Sequence, residues 1–112
     1  MKHIFTIGLA LLGCIGIQTT SSAQAITHTI AEIQGELFSS PFIEQVVTTT
    51  GIVTANNVTS ATSGIIGFFI QDGEGPWNGV YVYDNTQAPE IGDEIVIEAE
   101  VDEFYDVTEL LN

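Results

Sequence analysis

The stretch 94–104 constrains the fold more than any other part of the chain, because apolar and acidic residues alternate along it. In an extended strand, one face would carry Ile95, Ile97, Ala99 and Val101, and the other Glu94, Val96, Glu98, Glu100 and Asp102. Since side chains of a strand alternate between two faces, this pattern predicts a strand with one face in a core. The other face is a ladder of carboxylates in water.

Three earlier segments also favour extended structure: 46–55, 65–71 and 79–84, in which β-branched and aromatic residues are frequent. The turn sequence Asp-Gly-Glu-Gly-Pro at 72–76 lies between the second and third, so we expect those two to form a hairpin. No stretch sustains the apolar spacing of a long amphipathic helix. The sequence therefore predicts an all-β domain, with a short ordered lead-in at 30–35.

The N-terminal segment has the layout of a secretory signal: Lys2 supplies the charge, 4–17 is apolar, and a polar stretch ends in Ala23-Gln24-Ala25. The apolar run is shorter than the roughly 20 residues that a spanning helix needs, so no membrane span is expected. We predict a signal peptide over 1–25, cleaved after Ala23 or after Ala25. A secreted or periplasmic domain would then occupy 26–112.

Cys14 offers an alternative for the N-terminus. Gly13-Cys14 near the end of the apolar run resembles a bacterial lipoprotein processing site, which would leave the protein lipid-anchored through Cys14. The apolar run continues through Ile15-Gly16-Ile17, which favours the signal peptide. Its removal would leave a domain without cysteine, and therefore without disulfide or thiol chemistry.

The charge of the chain excludes several functions. There are fifteen Asp and Glu residues, Lys2 is the one Lys or Arg, and the formal net charge is −14 at pH 7. A domain over 26–112 would have no Lys or Arg to bind phosphates, and it would repel nucleic acid. Direct nucleic-acid binding is not expected without divalent metal ions.

Six short blocks occur in an order that is similar to a known family: 33–35, 40–41, 51–55, 67–72, 79–83 and 92–97. Together they resemble the OB-fold-like domain near the N-terminus of secreted bacterial endonucleases, which commonly precedes an endonuclease/exonuclease/phosphatase catalytic domain. The resemblance covers 30–110. It implies a small OB-fold-like Greek-key barrel with an accessory role, and a downstream catalytic domain or another protein as its partner.

The C-terminal part departs from that family. Asp106 and Glu109 stand where the family usually has Gly and Gln, and both replacements add negative charge. Asn112 comes about where a fifth strand would begin if a five-stranded barrel is to close. We therefore expect four visible strands and a fifth that is missing, truncated or supplied by a partner.

Aromatic residues are the candidate ligand contacts. Tyr81 and Tyr83 alternate with residues directed at the core, Phe69 does the same in the preceding strand, and Trp77 lies in the connecting turn. OB folds stack bases on such aromatics, but basic residues then follow the nucleic-acid backbone. Because those basic residues are missing, packing within the domain is the alternative for these side chains.

The hairpin turn also carries oxygen ligands. Asp72, Glu74 and Asn78 lie in one Gly-rich loop, and oxygen ligands of this kind suit Ca²⁺. They form a weak candidate Ca²⁺ site, and the alternative is a plain polar turn, because the later ligands of an EF-hand are missing. No other cofactor is expected.

Catalytic groups are scarce. His28 is the one histidine after 1–25, and no cysteine follows it, so a nucleophile with a histidine base is not expected. Glu98 and Glu100 would lie roughly 7 Å apart on one strand face, in water. An acid and base pair for glycoside cleavage needs one carboxyl group with a raised pKa, and nothing here would raise the pKa of either residue above that of the other. We expect a chain that is not itself an enzyme.

Two functions follow from this sequence. The first is a non-catalytic accessory or binding module of a secreted, nuclease-like multi-domain protein. The alternative is a free-standing extracellular interaction module that binds cations, basic proteins or glycans through an acidic face.

Overall fold

Strands dominate the structure, a computed structural model that describes residues 4–6, 24–60, 62 and 64–112. The elements are β1 (Ile4–Thr6), α1 (Ile30–Gln34), β2 (Val46–Ser60), β3 (Gly64–Gln71), β4 (Gly79–Tyr83), β5 (Glu94–Phe104) and β6 (Val107–Leu111). Of the predicted signal peptide, only 4–6, 24 and 25 fall within the described residues. No helix in the described part of the chain is long and apolar enough to cross a membrane.

Five of the strands close into a ring. β2 pairs antiparallel with β3 and β5, β3 pairs antiparallel with β4, β4 pairs parallel with β6, and β6 returns antiparallel to β5. A small five-stranded Greek-key barrel is the architecture of OB folds. The predicted fold class, an all-β barrel of this kind, is confirmed.

The fifth strand is present, so the expectation of a missing or truncated fifth strand is wrong. β6 follows β5 after only Tyr105 and Asp106, whose φ values are 49° and 62°. Positive φ at both positions is what a two-residue hairpin turn of type I′ requires. Asp tolerates this left-handed conformation in place of Gly, and the chain therefore reverses before Val107 and has room for a strand before Asn112.

A short outer strand lies beside the ring. β1 runs parallel to β5, with Ile4–Thr6 in register with Glu94–Val96. These residues belong to the predicted signal peptide. The ring itself is formed by β2 to β6 without them.

The interior of the barrel follows the predicted alternation. Ile95, Ile97, Ala99 and Val101 on β5 are all at most 5% exposed. They belong to one apolar cluster whose other strand residues are Val47, Val53, Phe68, Ile70, Val80, Val82 and Leu110. All five strands of the ring thus contribute to one core, and the carboxylates of β5 stay outside it.

Helix α1 packs against this core, and it is the ordered lead-in that was predicted at 30–35. Ile30 and Ile33 are fully buried within the apolar cluster. Thr29 and Glu32 form a capping box at the first turn, and Asp72 Oδ2 accepts a further hydrogen bond from the Ile30 N–H at 3.0 Å. Together these bonds satisfy donors that a helix start would otherwise leave unpaired.

Asp84 fixes the end of β4. Its carboxylate is buried and accepts hydrogen bonds from Thr86 N, Thr86 Oγ1, Gln87 N and Asn112 Nδ2. Burial acts to raise the pKa of Asp84, but the hydrogen bonds from Thr86, Asn112 and Gln87 lower it below its ordinary value. The charged form of Asp84 therefore holds the residue after β6 against the loop that follows β4.

Replacement of Leu110 by alanine tests the closure of the ring by β6. Leu110 is fully buried, and the cavity left by Leu110→Ala should lower the free energy of unfolding by about 2–5 kcal/mol. Val107→Ala in the same strand is the matched control, because Val107 is 52% exposed. Urea unfolding followed by circular dichroism measures both, and equal effects of the two substitutions would contradict a buried β6.

Candidate ligand-binding face

A row of side chains crosses the outer surface of four strands. Strand pairing puts Asp102 of β5 opposite Glu109 of β6, Glu109 opposite Tyr81 of β4, and Tyr81 opposite Phe69 of β3. Their chain neighbours Val101, Leu110, Val82 and Phe68 point into the core. Because successive side chains alternate, the row lies on the outside of the barrel.

All four predicted aromatic contacts lie on this side of the molecule. Phe69, Trp77 and Tyr83 are 39%, 46% and 42% exposed, whereas Tyr81 is only 8% exposed. The rings of Phe69 and Tyr81 pack with centroids 5.1 Å apart. Phe104, at the end of β5, is also exposed, and we call the surface of Phe69, Trp77, Tyr81, Tyr83 and Phe104 the aromatic face.

Two concavities meet on the aromatic face. The first, of about 480 Å³, is lined chiefly by Ile66, Tyr81, Tyr83, Phe104, Glu109 and Leu111. The second, of about 260 Å³, is lined chiefly by Leu37, Phe38, Phe69, Trp77, Tyr81 and Val107. Tyr81 contributes to both and therefore forms the boundary between them.

Tyr81 owes its position to a glycine on the neighbouring strand. The Tyr81 Oη atom lies 2.8 Å from the place where Gly67 would carry a Cβ, and that Cβ would also overlap the Val82 carbonyl oxygen. A side chain at Gly67 would therefore displace the tyrosine ring. The hydroxyl is buried, and it has no hydrogen-bond partner among the described residues.

Glu109 is the buried acid of the aromatic face, with only 6% of its surface exposed. Burial raises its pKa above the ordinary value of 4.5, and the hydrogen bond to Asp102 and the charges of Asp102 and Glu103 raise it further. Burial also raises the pKa of Tyr81, and the charge of Glu109 adds to the effect. The row thus places a carboxyl group of raised pKa, Glu109, between the side chain of Asp102 and the phenol of Tyr81.

Glu103 stands next to this row on the other side of β5. Its Oε1 atom accepts hydrogen bonds from Ser40 N, at 2.8 Å, and from Thr108 Oγ1. Its Oε2 atom is buried and has no partner within the described part of the chain. Three acids therefore lie close together at this end of β5, and a Lys or Arg side chain is not present between them.

The candidate Ca²⁺ loop has a structural role in the fold. The Asp72 carboxylate binds the start of α1, and Asn78 Nδ2 donates to the Glu74 carbonyl oxygen at 2.7 Å. Asp72 N also donates to Asn78 O at 3.0 Å, which closes the turn. Among the described residues, no group of three or more His, Cys, Asp or Glu is arranged to hold a metal. A Ca²⁺ site at Asp72, Glu74 and Asn78 stays a prediction.

The remaining titratable candidates do not line either concavity. Glu98 and Glu100 are exposed on β5, and Glu98 Oε2 accepts a hydrogen bond from Gln24 Nε2 at 2.8 Å. His28 Nδ1 lies 2.8 Å from Thr27 Oγ1, and its ring packs on Phe42 with centroids 4.3 Å apart. His28 is thus partly buried beside an aromatic ring.

Sequence reasoning found the aromatic residues of β3 and β4 but missed the contribution of β5 and β6. Glu109 was noted only as a departure from a family pattern, and Phe104 and Leu111 were not considered. In a strand over 107–111, Val107, Glu109 and Leu111 would share the face opposite Leu110, and this two-residue spacing was the available signal. It could be used only once a strand was assigned to 107–111.

Comparison with known proteins adds no assignment, because no family model, no curated protein and no solved structure matches this chain. Its function is therefore inferred from the geometry and chemistry of the aromatic face.

The raised pKa of Glu109 predicts a specific dependence of stability on pH. A carboxyl group whose pKa is higher in the folded state contributes stability that is fully present below its unfolded pKa, near 4.5. That contribution is lost as the pH rises through the folded pKa. Glu109→Gln removes the titration, so the variant should gain stability relative to the wild type as the pH rises above 4.5.

Urea unfolding at several pH values measures this difference. Glu98→Gln removes an exposed carboxylate and controls for the relief of general repulsion in an acidic protein. Asp84 acts in the opposite direction, since its lowered pKa means that stability is lost as the pH falls through values below 3.8. If Glu109→Gln and Glu98→Gln changed stability with the same dependence on pH, the special position of Glu109 would be contradicted.

Proposed function

We propose that this chain is a non-catalytic binding module that contacts its ligand through the aromatic face, as an accessory domain of a secreted, nuclease-like protein. The supporting observation is the pair of concavities that meet at Tyr81. Three rings that are 39% to 46% exposed surround them. Contiguous exposed apolar surface of this kind is typical of interaction sites.

The position of the aromatic face within the barrel supports a binding role. β3 and β4 are the second and third strands of the five-stranded ring, and OB folds bind oligonucleotides and oligosaccharides on that face. The loops that flank such a site are the first and the last of the barrel. Here Thr62, between β2 and β3, lines the first concavity, and Asp106, between β5 and β6, lines the second.

The electrostatics favour a ligand that is not an anion. The first concavity contains Glu109, the second contains Asp106, and no Lys or Arg occurs after Lys2. Phosphate groups would meet repulsion on this surface. An accessory role in a nuclease therefore consists of contact with a protein or a glycan, while the phosphodiester chemistry belongs to another domain.

The acidic surface of β5 supports a second candidate function. Glu98 and Glu100 are exposed and lie on one outer face of this strand. Such a surface would attract cations or basic proteins at low ionic strength. This corresponds to a free-standing interaction module, and the acidic surface would then be the contact instead of the aromatic face.

Fluorescence of Trp77 tests the binding role, because Trp77 is the one tryptophan in the chain and lies on the aromatic face. We expect a neutral oligosaccharide or a lysine-containing peptide to change its emission, and Phe69→Ala and Tyr83→Ala to weaken that binding by about tenfold. Ile91→Ala, at an exposed residue in the loop after β4, is the control. Single-stranded DNA at low salt without divalent metal should give no change.

Two results would contradict the binding role of the aromatic face. One is binding that survives both aromatic substitutions as well as it survives Ile91→Ala. The other is tight association with single-stranded DNA in the absence of metal, since the charge of this surface should prevent it.

The gene tests the accessory role. An accessory domain requires that the reading frame continues past the codon for Asn112 into a metal-dependent phosphodiesterase domain. A stop codon directly after Asn112 would instead support the free-standing module. Sequencing of the genomic DNA downstream of this codon distinguishes the two.

A further inference from the structure

The first concavity is lined by two buried polar residues, Tyr81 and Glu109, and one of them has a hydroxyl that the described part of the chain does not pair. Tyr81 is only 8% exposed, and its hydroxyl has no hydrogen-bond partner among the described residues. Glu109, opposite Tyr81 on the neighbouring strand, is only 6% exposed. Asp102 follows Glu109 in the same row. Buried polar groups without partners cost free energy, and such sites commonly serve a ligand.

These groups are all suited to accept hydrogen bonds. A phenol oxygen and two carboxyl groups offer acceptor atoms on three adjacent strands, and an ammonium group has three N–H donors and no acceptor. Hydrogen bonds between an ammonium group and a carboxylate are among the strong ones in proteins. A cation at this point would also relieve the repulsion among Asp102, Glu103 and Glu109.

The walls of the same concavity are apolar. The acidic residue of this concavity, Glu109, is surrounded by Ile66, Tyr83, Phe104 and Leu111. A lysine side chain buries its four-carbon stem along apolar surface while its charged end reaches polar groups. The faces of single aromatic rings also attract ammonium groups directly. The site therefore combines a wall for the stem with acceptors for the charge.

We propose that the first concavity binds a lysine side chain of a partner polypeptide, whose ammonium group donates to Glu109 and the Tyr81 hydroxyl, with Asp102 next to Glu109 in the same row. This inference rests on the binding role proposed for the aromatic face and specifies its ligand. Charge complementarity supports a basic polypeptide, because the chain has a net charge of −14 and a single Lys or Arg of its own, Lys2.

Affinity for lysine should depend on pH. The titratable groups that face Glu109 are Tyr81 and Tyr83 on β4 and Asp102 and Glu103 on β5. Of the side chains that the structure describes on β3, the apolar Ile66 and Phe69 line this surface, beside the backbone of Gly67. A bound cation favours the charged form of Glu109. Binding should therefore release a proton and become tighter as the pH rises through the folded pKa of Glu109.

A pair of capped peptides tests the proposal on the full chain. The first is acetyl-Gly-Gly-Lys-Gly-Gly-amide, in which lysine carries the one positive charge, and the second has the same sequence with Nε-acetyl-lysine. In ¹H–¹⁵N NMR titrations we expect the lysine peptide to shift the amide signals of Tyr81 and Glu109. The acetylated peptide should not, because it keeps the stem but lacks the charge.

Substitutions in the row should weaken the lysine peptide selectively. Asp102→Asn should reduce its affinity by about tenfold, and Tyr81→Phe, which removes only the unpaired hydroxyl, by about fivefold. Glu90→Gln is the matched control, because it removes one exposed carboxylate just before the opposite end of β5. The spectrum of each free variant shows whether its fold is retained.

Several outcomes would overturn the proposal. They are equal affinity for the two peptides, equal losses in Asp102→Asn and Glu90→Gln, no shift at millimolar peptide, or a response to glucosamine oligosaccharides in place of the peptide. If Phe69→Ala and Tyr83→Ala still weaken binding of a neutral oligosaccharide, only the lysine assignment fails. If those variants weaken no ligand, the binding role of the aromatic face fails with it.

Discussion

Strand β5 holds the barrel together, because it forms hydrogen bonds with both β2 and β6, and these two strands are far apart from each other in sequence. Its first part, Glu94–Glu100, pairs with β2, and its last part, Glu100–Phe104, pairs with β6. Buried backbone groups must find partners, and a sheet that closes on itself supplies them without an open edge. The apolar side of β5 faces the common core, which also receives Ile30 and Ile33 of α1.

Closure also decides what lies on the outside. Because β6 pairs with β5 on one side and β4 on the other, Glu109 comes to lie between Asp102 and Tyr81. Burial then raises the pKa of Glu109, and Gly67 lets the Tyr81 ring lie across β3. The aromatic face thus contains one buried polar group, the Tyr81 hydroxyl, that has no hydrogen-bond partner among the described residues. A buried hydroxyl without a partner lowers stability at this point.

The two-residue alternation made the strands and their buried sides predictable. The prediction for 94–104 matches β5 at both ends, and Val80, Val82, Phe68 and Ile70 lie in the core as expected. The prediction was wrong for β6, because it placed the start of a fifth strand at about Asn112, whereas Tyr105 and Asp106 reverse the chain directly after β5. β2 runs five residues beyond its predicted end at Ala55, through register shifts that depend on its partner β3.

By itself the sequence determined the all-β class and the buried side of β5, since the alternation of side chains along a strand is a local property, and its charge predicts poor binding of anionic ligands. It also singled out Phe69, Trp77, Tyr81 and Tyr83. Only the tertiary structure decided that Tyr81 is buried and that Glu109 and Asp102 share its row. The reason is that register between strands distant in sequence is set by closure of the ring, and neighbours across β4, β5 and β6 do not exist until the ring has formed.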